Sequence, residues 1–162
     1  MNRKLIIEQL NSWMIHFVER PNPLLGNWSP CPFARSARIN NKISIQFSEP
    51  ENLYITIKSC LELLEDKEVV VICFDHKLID AVCVQEQVAL INKELLTQNY
   101  VILEDHPEAP EYVNKVKMNF GKCGLLILQK LDKLSIASKQ LSSKGYYDCW
   151  SKDELDEVVN WR

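Results

Sequence analysis

No run of apolar residues in this 162-residue chain approaches the length of a membrane span, and no long basic stripe interrupts its mixture of 19 Lys and Arg with 22 Asp and Glu. The first absence excludes a spanning helix. The second, with a net charge of −3, argues against nucleic acid or an anionic membrane surface as the main partner. A CxxC pair is also missing: the six cysteines stand apart at 31, 60, 73, 83, 123 and 149, which excludes a zinc ribbon. The first 20 residues, MNRKLIIEQLNSWMIHFVER, do not read as a secretory signal. Glu8, Gln9, Asn11 and His16 interrupt the apolar residues, and no small-residue cleavage site follows. A cytoplasmic protein with reduced cysteines is therefore expected, and the Asn27-Trp28-Ser29 sequon is read as chance. Internal repeats and low-complexity segments are absent as well.

What is there is the material of a globular domain. Apolar residues make up 46% and charged residues 25%, and the length suits one domain, 1–162, with a sizeable core. Ile6, Leu10, Trp13, Met14 and Phe17 recur at helical spacing and predict an amphipathic helix over 3–19, ended by Pro21 and Pro23. PNPLLGNWSP, 21–30, is a rigid loop. Pro32 fits the first position of a short helix, which puts Cys31 at its N-cap. Strands are predicted at 43–47, at 69–74 (VVVICF, covered on both faces), at 100–103 and at 125–128. Helices are predicted after Ser48, with Glu51 completing a capping box, over 77–98, over 133–144, and from Ser151 to Trp161 with a Ser151/Glu154 box. Residues 105–120 read as loop. The alternation of the first three strands with helices predicts an α/β fold. It has a four-stranded, mostly parallel sheet: a βαβαβ core plus one strand of open direction. An amphipathic helix precedes it and two C-terminal helices follow.

In parallel sheets, ligands gather beyond the carboxyl ends of the strands. Two such ends carry Asp-His here: Asp75-His76 after strand two, and Glu104-Asp105-His106-Pro107 after strand three. Cys31 is the second lead. Helix N–H groups and the macrodipole favour a thiolate at an N-cap, and Arg35 and Arg38 add positive charge able to hold a carboxylate or phosphate. His106 is the candidate acid or base, oriented by Asp105 or Glu104. Each has a plain alternative: a small buried cysteine, a solvated arginine face, Asp75 as a helix cap, and His106 in a turn made by Pro107. Cys60, Cys73 and Cys83 read as core, His16 as structural, and Cys123 and Cys149 as candidate resolving thiols or ligands.

Cys31-Pro32-Phe33-Ala34 with the basic residue after it resembles the thiol site of glutaredoxins and omega-type glutathione transferases. The likeness ends there, since those folds place a strand directly before the cysteine and a cis-proline before a later strand. A broader set of residues resembles the bacterial domain-of-unknown-function family 1415: Trp13, Cys31 to Arg35, Val69 to Ile72, and His106-Pro107. The proline-rich segment of that family after its His-Pro is replaced here by GYYDCW and a further helix. This resemblance implies no activity, and it marks Cys31 and His106 as the positions to watch.

Three functions are compatible with these residues. One is a thiol enzyme, with Cys31 as nucleophile, His106 and Asp105 as its acid/base partners, and Arg35 and Arg38 binding a small anionic substrate. Another is a metal enzyme using zinc or iron on His76, His106, Asp75 and Asp105. The last is a non-catalytic interaction protein, a homodimer being one form, in which the tail YYDCWSKDELDEVVNWR docks a partner.

Overall fold

The computed structural model describes all 162 residues, Met1–Arg162. Helix α1, Arg3–Trp13, starts where the Asn2 side chain accepts the Leu5 N–H, and continues as one wider turn through Met14–Val18. Its buried stripe of Ile6, Leu10, Met14 and Val18 steps every four residues. A short helix α2, Ala34–Ile39, leads into strand β1, Ile43–Phe47. Helix α3, Leu53–Cys60, precedes strand β2, Val69–Phe74. Helix α4, Ala81–Leu95, precedes strand β3, Tyr100–Asp105. A two-residue hairpin follows, β4 at Tyr112–Val113 and β5 at Val116–Lys117, then strand β6, Gly124–Lys130. Helices α5, Leu131–Ser142, and α6, Lys152–Leu155, complete the chain. The second runs on as a wider turn through Asp156–Asn160.

The sheet separates two apolar layers. Val70, Ile72 and Phe74 of β2 point to the side of α3 and α4, where Leu53, Ile57, Cys60, Val84, Val88, Ile91 and Leu95 cover them. The intervening Val71 and Cys73 point to the α1 side, against Leu10 and Met14. That alternation, both faces apolar, is why VVVICF is an unbroken hydrophobic run. Each fully buried leucine or isoleucine contributes about 1.5–3 kcal/mol.

The sheet order is β1-β2-β6-β3, and this corrects the mostly parallel arrangement expected from sequence. Only β1 and β2 pair in parallel; β6 runs antiparallel to β2 on one side and to β3 on the other. The first three strands do share one direction, but the fourth is inserted between the second and third. The reason lies in 105–123. The chain leaves β3 at its carboxyl end, makes the β4–β5 hairpin there, and re-enters the sheet from that same end, so β6 must run back. The hairpin was not legible as strand. Its turn uses Asn114 and Lys115, both at positive φ (43° and 69°), the conformation of the tight turns that join antiparallel strands.

Other boundaries shift for local reasons. Helix α2 begins at Ala34 rather than Pro32, because Cys31 to Ala34 form a turn closed by the Ala34 N–H on the Cys31 carbonyl at 3.2 Å. The Ser48/Glu51 box does not form; the Ser48 hydroxyl bonds Thr56 at 2.8 Å instead. The Ser151/Glu154 box is present in both directions. Helix α4 starts four residues later than expected, capped by Asp80 on the Cys83 N–H at 2.9 Å. The tail packs back on its own chain. Glu154 accepts the Asn114 N–H at 2.9 Å, Arg162 bonds Ser138 at 3.0 Å, and Trp150 joins a small cluster with Leu25, Val113 and Val116.

Candidate functional site

The carboxyl ends of β2 and β3 lie on one edge of the sheet, as their shared direction requires. The His76 and His106 rings meet there edge-on at 5.8 Å between centroids. Asp105 and His106 are buried. Each Asp105 oxygen has one donor: Asn119 Nδ2 on Oδ1 and the Phe120 N–H on Oδ2, both at 2.8 Å. Burial raises the Asp105 pKa, and these two bonds pull against it. His106 Nδ1 accepts the Glu108 N–H at 3.2 Å, so its proton sits on Nε2, which donates to the Ile79 carbonyl at 3.1 Å. Both ring nitrogens are thus used inside the protein, and Asp105 faces Asn119 and Phe120 rather than orienting the imidazole. Asp75 closes a turn by accepting the Lys77 N–H at 3.1 Å. His76 Nδ1 is buried without a hydrogen-bond partner. No group of three or more His, Cys, Asp and Glu side chains is placed to hold a metal ion.

Cys31 has a different set of partners. Its N–H bonds the Val18 carbonyl at 3.1 Å, and the adjacent Pro30 carbonyl accepts the Tyr146 hydroxyl at 2.6 Å. The Phe33 and Ala34 amides lower the pKa of the thiol. Desolvation outweighs them, and the Glu19 carboxylate adds to it, so the thiol pKa is raised. Cys31 as a residue keeps solvent contact. The protein crowded round the sulfur, not the exposure of the residue, sets the direction of the shift. Arg38 is committed to Glu19 through two bonds, Nε–Oε1 at 2.6 Å and Nη2–Oε2 at 2.9 Å, which also hold the Glu19 carboxyl below its usual range. Arg35 is exposed and adds to the positive field at Glu19. The partners of Cys31 (Val18, Phe33, Ala34 and Glu19) and those of His106 (Phe74, His76, Ile79 and Glu108) have no residue in common. Cys73 and Cys123 are sealed in the core, and contact with Cys73 followed by burial drives the Cys123 pKa upward. That environment makes them packing residues.

A cleft of about 420 Å3 lies between α4, β3 and the last turn of the chain. Val88, Ala89, Leu96, Leu103, Val158 and Trp161 supply its apolar wall. Glu104, Glu111 and Glu157 bring three carboxylates to it, and Lys93 is the one cationic side chain. Burial raises the Glu104 pKa. Glu111 is pushed up to about 7, by desolvation first and then by Asp105, Glu104 and Glu157. Glu111 is exposed as a residue, so solvent weakens the desolvation that leads this shift, and the neighbouring carboxylates are what support its upward direction. Glu111 is positioned from behind. Its N–H donates to Asn119 Oδ1 at 2.7 Å, and Asn119 Nδ2 is the donor to Asp105, so the loop hangs on the end of β3. Sequence reading named Glu104 and the tail tryptophans and missed Glu111, Asn119 and Glu157. Glu157 stands far from the other two in the chain and the three share no motif; only the fold gathers them.

No protein-family model matches the chain, and neither a curated protein nor a solved structure is significantly similar to it.

Proposed function

We propose that the protein binds a small cationic ligand, an amine or guanidinium compound, in the cleft between α4, β3 and the C-terminal turn. The observation that carries this reading is the convergence of Glu104, Glu111 and Glu157 on one concave, partly apolar site that includes Trp161. Carboxylates held this close repel one another, and an incoming cation relieves that repulsion. Trp161 lines the same cleft and supplies an aromatic ring that attracts a cation. Because Glu111 titrates near 7, uptake of the cation displaces its proton, so affinity should rise with pH through neutrality.

Calorimetric titration with 1,4-diaminobutane and with agmatine tests it. Binding should tighten between about pH 6 and about pH 8, and Glu111→Gln should weaken it roughly tenfold and flatten the pH profile. Lys93→Gln should strengthen it. Absence of binding by either probe, or an affinity indifferent to Glu111, overturns the reading.

A thiol chemistry at Cys31 is the second reading, and the lowering of its pKa by the Phe33 and Ala34 amides favours it. Burial and Glu19 oppose it. Site-resolved alkylation across pH should give Cys31 a half-maximal rate above the free-thiol value of about 8.5; a midpoint below that value would restore the nucleophile.

A further inference from the structure

The two edges of the sheet are finished differently. Register and hydrogen bonds fix which backbone groups point outward. Lys42 C=O accepts from Val69 and the Ser48 N–H donates to Cys73, so the even residues of β1 face β2 and the odd ones, Ile43, Ile45 and Phe47, face away. By the same counting, β3 turns Tyr100, Ile102 and Glu104 outward. That edge is closed, for the buried Asn92 of α4 donates to the Ile102 carbonyl and accepts its N–H, both at 2.9 Å, as a neighbouring strand would. At β1 no side chain bonds the outward groups of Ile43, Ile45 or Phe47, and no charge, proline or bulge interrupts ISIQF. Edge strands ordinarily carry one of those guards.

We propose that the β1 edge pairs with β1 of a second copy, antiparallel about a two-fold axis at Ile45, giving one continuous eight-stranded sheet. The sequence of the strand fits its own reverse. Ile45 meets Ile45, Ile43 meets Phe47, and Ser44 meets Gln46, so apolar faces apolar and polar faces polar at every position. The outward N–H and C=O groups of the three odd residues are then all satisfied, by about six bonds. The antiparallel sense also brings the Lys42 end of one strand to the Glu49 end of the other. An extended peptide of another protein would use the same backbone groups, but it would lack this internal match.

Sedimentation of the full chain over a range of concentrations should show a monomer–dimer equilibrium. Ser44→Lys with Gln46→Lys places like charges opposite each other twice and should weaken the dimer by roughly tenfold or more. Mixing that variant with Ser44→Glu/Gln46→Glu should restore a dimer, now mixed. Amide exchange at Ile43, Ile45 and Phe47 should slow as concentration rises. A wild-type monomer at all concentrations overturns the proposal and leaves the edge open to a foreign strand. A dimer indifferent to the paired lysines, with circular dichroism confirming their fold, overturns it equally.

Discussion

Gly124→Ala is expected to destabilise the fold by about 3 kcal/mol, the upper part of the range for overpacking a core. Gly124 opens β6 and stands opposite Phe74 in the ladder. The Phe74 ring, fully buried, folds across it, and a Cβ there would overlap the ring carbons Cζ, Cε1 and Cε2. The ring cannot swing away cheaply. It belongs to the α3/α4 core on one side and lies 6.2 Å from the His106 ring on the other. Urea unfolding measures the loss. Phe74→Leu in the same chain should recover part of it, so that the double variant loses less than the sum of the two singles. Simple additivity would mean the ring is not what glycine accommodates.

Asp105→Ala should cost about 2–4 kcal/mol, and Asp105→Asn nearly as much. Alanine strands the Phe120 N–H and one Asn119 donor in a buried place. Asparagine is nearly isosteric, but it must aim its NH2 at one of two groups that are themselves donors. The sign of the pH dependence follows from burial. A carboxyl whose folded pKa lies above its unfolded value binds more protons folded, so stability falls as pH rises from the unfolded value to the folded one. Glu111, near 7, extends that decline to about neutrality, above which its own contribution should be flat. Because Asn119 hangs from Asp105 and holds the Glu111 N–H, both variants should also weaken diamine binding at temperatures where they remain folded. Thermal melts and calorimetry separate the two effects. Full affinity in folded Asp105→Asn would show that this chain of bonds does not position Glu111.

The sequence makes elements readable where periodicity is strong and local. The stripe of α1, the β2 run, α4 and the Ser151/Glu154 box all follow from residues within a few positions of one another. Strand order is not local. Nothing in GLLILQK says that it will lie between β2 and β3; that depends on where the 105–123 segment returns the chain. The Cys31 reading shows the same limit in electrostatics. The amides expected at a helix entrance are there, but the crowding that outweighs them comes with tertiary packing. The convergence of the cleft carboxylates lies beyond sequence reading for the same cause, since β3, the hairpin approach and the tail each contribute one.

The place of β6 also bears on how the protein is made. Until residues 124–130 have been synthesised, β3 has no sheet partner, and the nascent chain holds only the β1–β2 pair. The hydrophobic run of β2 then waits with one side unpaired through some fifty residues of elongation, at about 5–20 residues per second. Folding is thus postponed to a late closure in which one strand slots between two others, and the interval before it is when this chain is most exposed to aggregation.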